Sequence, residues 1–175
     1  MITVVDVETS FQATKNGGTD PLPFNPNNIL VSIGINDEYY FTNHSERVDE
    51  GCYYKIQAIL DKTTLLIGHN IKFDLLWLLE AGFKYGGNVY DTMLCDYVLS
   101  RGLRRSLTLD MCCRRRNVGE KAKEEINELL DRGVSFENIN ADVVERYGRV
   151  DVEITRKLFD SQMEDLRDDK NKGLL

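Results

Sequence analysis

Two acids stand at the start of the chain, in ITVVDVET. Side chains alternate along a strand, so Val4, Asp6 and Glu8 share one face and Val5 and Val7 the other. A run this rich in β-branched residues predicts a strand buried on both sides, yet two carboxylates project from one of them. Asp74 stands in a predicted helix in which Ile71, Phe73, Leu75, Leu76, Trp77, Leu78 and Leu79 leave almost no polar face, and Asn70 lies one turn earlier. At roughly 100° per residue, Asp151 falls beside Tyr147 inside the stripe Val143, Tyr147, Val150, Ile154 and Leu158. A carboxylate buried without a partner costs several kcal/mol or takes up a proton. A single inward Asp is more often a hydrogen-bonded core residue, and Asp74 in a first helical turn also suits the helix dipole. Four such acids from three segments, with few basic residues on the same faces, point instead to shared divalent cations, which prefer carboxylate oxygen. Two cations about 4 Å apart would make a site for phosphoryl transfer.

The elements that carry these acids can be read in order. Strands are predicted at 2–7, 29–35, 39–43, 65–68 and 88–90, with Asn36-Asp37-Glu38 as a tight hairpin link. Helices are predicted at 47–61, from Asn70 as N-cap to Gly82 as C-cap, and at 91–100, 107–115, 120–132 and 140–170, with Gly148 as a candidate bend in the last. A long polar loop at 9–28, with Gly17, Gly18, Pro21, Pro23 and Pro26, reads as functional or mobile. No repeat, low-complexity tract or linker interrupts the chain. One α/β domain over residues 1–175 is expected, a mixed sheet with helices packed on it.

Composition sets limits. A formal charge of −7 disfavours a nucleic-acid clamp spread over the whole surface. It leaves room for an enzyme that holds a strand end at bound cations, which reverse the local charge. Cys52, Cys95, Cys112 and Cys113 form no C-x-x-C pair, so reduced packing residues are expected rather than zinc ligands or disulfides. No long apolar run and no signal-peptide pattern occurs, so no membrane association and a cytoplasmic location, in a bacterium or a phage-infected cell, are expected.

The same residues carry a family resemblance. DVET at 6–9, GHNIKFD at 68–74 and YGRVD at 147–151 resemble, in order and spacing, the three motifs of the DEDD (DnaQ-like) 3′-5′ exonuclease superfamily. The Tyr-x-x-x-Asp form of the third motif, with Arg146 where a sister branch has His, resembles the tyrosine branch. DTML at 91–94 and SLTLD at 106–110 further resemble the proofreading domain of family A DNA polymerases, and the 9–28 loop resembles phage-encoded versions. The resemblance implies a ribonuclease H-like three-layer fold with a five-stranded mixed sheet and two cations, Mg²⁺ or Mn²⁺. Asp6, Glu8 and Asp151 would hold one cation. Asp6 would bridge to a second, which Asp74 reaches directly or through water. Tyr147 would orient the attacking water, Asn70 would steady the site or substrate, and Thr9 would contact the terminal nucleotide. Phe11 is the candidate wedge, and equally a plain packing aromatic. The implied reaction is hydrolysis of the 3′-terminal phosphodiester of single-stranded or frayed DNA, releasing nucleoside 5′-monophosphates. A DNA polymerase domain or subunit is the implied partner. The alternatives are an exoribonuclease of the same fold and a non-catalytic module that docks a polymerase.

Other features have two readings each. Arg101, Arg104, Arg105, Arg114, Arg115 and Arg116 could guide single-stranded DNA or form a solvated face that balances acidic neighbours. His69 is expected to pack or hydrogen-bond rather than ligate metal, and Trp77 to be core. The stretch with Lys121, Lys123, Glu124, Glu125 and Glu128 reads as an exposed charged helix.

Overall fold

β1 (Ile2–Thr9) is the middle strand of a five-stranded sheet. The structure, a computed structural model, describes residues 1–14, 16, 18–120 and 124–168. Gly17, Lys121, Lys123 and the expected helix end at 169–170 lie outside them, as do the side chains of Glu124 and Glu125. After β1 the chain forms a small antiparallel ribbon, β2 (Gln12–Ala13) and β3 (Thr19–Asp20), inside the expected loop. β4 (Leu30–Ile35) returns antiparallel to β1, and β5 (Glu38–Phe41) pairs antiparallel with β4. Asn36 turns between them in the left-handed region at φ 51° and accepts the Val4 N–H on its side chain, which fixes the hairpin to β1.

α1 (Cys52–Lys62) begins later than expected, because the Asp49 carboxylate takes the Phe41 N–H and Gly51 turns the chain at φ 70°. β6 (Leu65–Gly68), α2 (Ile71–Glu80) and β7 (Asn88–Asp91) complete a sheet of order β5-β4-β1-β6-β7, with β6 and β7 parallel to β1. α2 is capped at Ala81, one residue before the expected Gly82, whose φ of 90° lets the Gly82 and Phe83 N–H groups turn back to Leu79 and Leu78. α3 (Thr92–Leu99), α4 (Leu109–Arg116), α5 (Glu124–Asp131) and α6 (Ala141–Arg167) follow, with a short 3₁₀ turn at Phe136–Asn138. α6 runs unbroken through Gly148.

The alternation in β1 separates two cores. Val5 and Val7 pack with Ile33, Ile35, Ile56, Leu60 and Trp77 under α1 and α2. Val4 packs with Ile67, Val152 and Phe159 under α6, and Tyr39 and Phe41 pack with Val144 and Ile139 on that side. The result is a three-layer, ribonuclease H-like α/β fold, a mixed five-stranded sheet between helices. Among the described residues no helix is long and apolar enough to cross a membrane.

Candidate metal centre

β1 outruns its parallel neighbour. Pairing with β6 stops at Val4↔Ile67, whereas pairing with β4 continues to Thr9, with a register shift between Glu8 and Thr9. Bulges of this kind re-aim side chains at strand ends. Beyond Val4 the exposed edge of β1 meets the start of α2, and there Asp74 Oδ1 accepts the Val7 N–H at 3.1 Å. A carboxylate stands where a ladder carbonyl would otherwise be.

On the α6 side, Asp6, Glu8 and Asp151 each offer an oxygen, all within 4.8 Å of one another. Glu8 and Asp151 are buried and Asp6 is half-buried. Asp151 reaches them because α6 lays Val144, Gly148, Val152 and Thr155 against the sheet. Asp74, 4% exposed, stands next to this trio and outside it. Burial lifts its carboxyl well above the ordinary range, the charges of Asp6 and Asp91 push the same way, and the Val7 N–H opposes them. Asp6 is therefore the carboxylate common to both groupings. A donor set made only of carboxylate oxygen at this spacing fits a hard divalent cation. Among the described residues no other three acidic, His or Cys side chains converge so closely.

The remaining candidates surround these acids. Tyr147 lies one turn before Asp151 on α6, half-buried, its ring 6.0 Å from that of Phe136. Thr9 is buried at the end of β1. Phe11 is half-buried and its N–H donates to Ser135 Oγ at 3.4 Å. Asn70 occupies the N-cap position but does not cap α2 through its side chain. It sits left-handed at φ 63°, exposed, and its N–H goes to Asp91 Oδ1 at 3.0 Å. The tight joint between β6 and α2 demands that backbone, and the Asp91 carboxylate, which also caps α3 at Met93 and Leu94, supplies the acceptor.

Both ring nitrogens of His69 are engaged, with Thr92 Oγ1 at 2.9 Å and the Leu107 carbonyl at 2.7 Å, as a hydrogen-bonding role requires. Trp77 is core, and its indole N–H donates to the Pro21 carbonyl at 3.0 Å. The four cysteines are free thiols.

The arginines divide. Arg115 and Arg116 turn inward to buried Asp96 at 2.6 and 2.9 Å, Arg116 also reaches Asp165 at 2.6 Å, and Arg114 pairs with buried Asp110 at 3.2 Å. These arginines thus balance acidic neighbours, as the second reading expected, with Arg114 and Arg115 exposed and Arg116 half-buried rather than on a solvated face. Arg101, Arg104 and Arg105 are exposed on the loop between α3 and α4.

Sequence reasoning missed Tyr39. Its buried phenol is raised well above its usual value by desolvation and by the charge of Glu8, against a hydrogen bond from Ser32, with Asp6 adding to the rise. Only the cross-strand register, Glu8↔Ser32 and Gly34↔Tyr39, reveals how near it stands to the acids.

Comparison with known proteins agrees with this geometry. The family model described as 3′-5′ exonuclease, of the DNA polymerase A type, matches residues 17–167. DNA polymerase I of Borreliella burgdorferi is 26% identical over 121 residues, which are 69% of this chain and 13% of that polymerase. Among solved structures, NrnC of Brucella melitensis bound to pGG superposes with a TM-score of 0.67 at 17% identity, covering 99% of this chain and 76% of NrnC. A second NrnC structure from the same organism gives 0.65 at 16% identity, covering 99% and 77%. A model matched across most of the described fold, with three acids gathered at the end of its central strand, leads to one conclusion: the chain belongs to the 3′-5′ exonuclease family of the DNA polymerase A type.

Proposed function

We propose that the protein hydrolyses the 3′-terminal phosphodiester of single-stranded or frayed DNA, releasing nucleoside 5′-monophosphates in a proofreading role. The observation that carries this is the gathering of Asp6, Glu8 and Asp151 within 4.8 Å, with buried Asp74 beside Asp6. Mg²⁺ or Mn²⁺ bound there would acidify the attacking water and neutralise charge on the departing 3′-oxygen. Asp6, Glu8 and Asp151 would hold one cation, and Asp6 with Asp74 would hold a second. The Tyr147 hydroxyl holds the attacking water in line by a hydrogen bond; with an ordinary phenol pKa of about 10 it is a poor base at neutral pH. Thr9, Asn70 and Phe11 contact the terminal nucleotide from the ends of β1 and β6.

The match to a DNA polymerase favours DNA as substrate and a polymerase domain or subunit as partner. A second reading, an exoribonuclease acting on short oligonucleotides, is favoured by the likeness to NrnC bound to pGG. Matched DNA and RNA oligonucleotides, including dinucleotides, incubated with Mg²⁺ decide between them. Faster loss of 3′ nucleotides from single-stranded DNA is the expected result. Faster loss from RNA would replace the first reading by the second. No cleavage of either, with tight binding to a polymerase, would leave a docking module.

A further inference from the structure

Three residues in register cross the sheet beneath α6: Asp6 on β1, Gly34 on β4 and Tyr39 on β5. Two positions without side chains enclose the tyrosine ring. A Cβ on Gly148 of α6 would stand 2.5 Å from Tyr39 Cε2 and 2.6 Å from its Oη. A Cβ on Gly34 would stand 2.8 Å from Val152 Cγ2 and 3.3 Å from Tyr39 Cδ2. Contacts below 3 Å force something to shift, and here the neighbours are a packed ring and a helix valine. Neither glycine has a positive φ, so backbone freedom does not explain them. Gly148 is also unfavourable in a helix interior relative to alanine. Space is what each supplies. The Tyr39 hydroxyl then ties the layers together. It donates to the Val144 carbonyl of α6 at 3.3 Å and shares a 2.7 Å bond with Ser32, the residue opposite Glu8.

We propose that Tyr39, gripped by Gly34 and Gly148, is the spacer that sets the separation of α6 from the sheet and so holds Asp151 against Asp6 and Glu8. Gly148 lies three residues before Asp151, less than one turn, so any displacement of the helix there is passed to the carboxylate. Tyr39, Gly34 and Gly148 are positioning residues. They act through the placement of Asp151. The proposal rests on the metal-centre reading above.

The test is a double-mutant cycle read by calorimetric Mn²⁺ titration, with single-turnover cleavage alongside. Gly148→Ala overfills the gap and should weaken Mn²⁺ binding by about tenfold or more, the scale on which residues behind metal ligands act. Tyr39→Leu removes the spacer and its hydroxyl ties, and should weaken binding as well. The double variant places the alanine methyl where the ring atoms were, so it should bind Mn²⁺ more tightly than either single variant. Wild-type affinity in Gly148→Ala, or losses that simply add in the double variant, would overturn the spacer. Should Gly148→Ala fail to fold, Tyr39→Leu compared with the double variant still decides. Wild-type protein that binds no Mn²⁺ would overturn the metal-centre reading instead.

Discussion

Asp6 is the acid that the others flank, Glu8 and Asp151 on one side and Asp74 on the other. Asp6→Ala should therefore lower turnover by at least about a hundredfold, because it removes the carboxylate common to both proposed cation positions. Asp74→Asn should do likewise while keeping an oxygen for the Val7 N–H. Without metal this variant should be more stable than wild type, gaining about 2–4 °C in Tm for each kcal/mol of repulsion relieved. Calorimetry in EDTA checks it, and a lower Tm would mean that Asp74 is held by something other than its hydrogen bond to β1. Tyr147 and Asp151 separate differently. Tyr147→Phe should keep Mn²⁺ affinity and lose turnover, whereas Asp151→Asn should lose both. Equal losses of metal affinity would refute the orienting role of the hydroxyl. These acids were legible in the sequence because period two in β1 and period 3.6 in α2 and α6 assign each side chain a face. Tyr39 was not. It reads as one more strand aromatic until the pairing of β4 with β1 and β5 is known.

The arginines of α4 behave as part of an element. Asp96, on α3, is buried between Arg115 and Arg116, and Arg116 extends to Asp165 on α6, so three helices are joined through one charge network. Burial alone would raise Asp96, but the hydrogen bonds from Arg115 and Arg116, and the charge of Arg116, hold it below its ordinary value. A carboxylate lowered in the fold stabilises fully above its unfolded pKa, about 3.9, and loses that contribution as the pH falls through the folded value. Arg116→Ala should cost about 2 kcal/mol at neutral pH, less than a fully broken buried pair because Arg115 remains. The deficit should narrow below about pH 4. Urea unfolding at pH 7 and pH 3 measures both, and a constant deficit would exclude Asp96 as its source. The proposed guidance of a strand would then fall to the exposed Arg101, Arg104 and Arg105. Alanine at Arg101, Arg104 and Arg105 should flatten the salt dependence of single-stranded DNA binding, and an unchanged slope would remove the loop from the binding path. The inward turn of α4 was hidden in the sequence, since its partners lie 19, 20 and 49 residues away on other helices. The β2–β3 ribbon was hidden for another reason, as two-residue strands of Gln, Ala, Thr and Asp show no alternation to read.

At the scale of the molecule, a net charge of −7 and an Asp6, Glu8 and Asp151 cluster with Asp74 beside it should make bound cations contribute to stability as well as to the proposed chemistry. Mg²⁺ or Mn²⁺ should raise Tm in proportion to the logarithm of its concentration above Kd, and excess EDTA should abolish cleavage. Full activity in EDTA would sink the metal mechanism. The fold places one more device at the same end of the sheet. The chain has a single tryptophan, Trp77, buried on α2 three residues after Asp74 and hydrogen-bonded to Pro21, which directly follows the ribbon. Its emission should therefore report on the contact between Pro21 and the helix of the fourth acid. Loss of the Pro21 contact would open the indole N–H to water and shift its emission to longer wavelength, so fluorescence during a single turnover would follow that contact in the unlabelled protein.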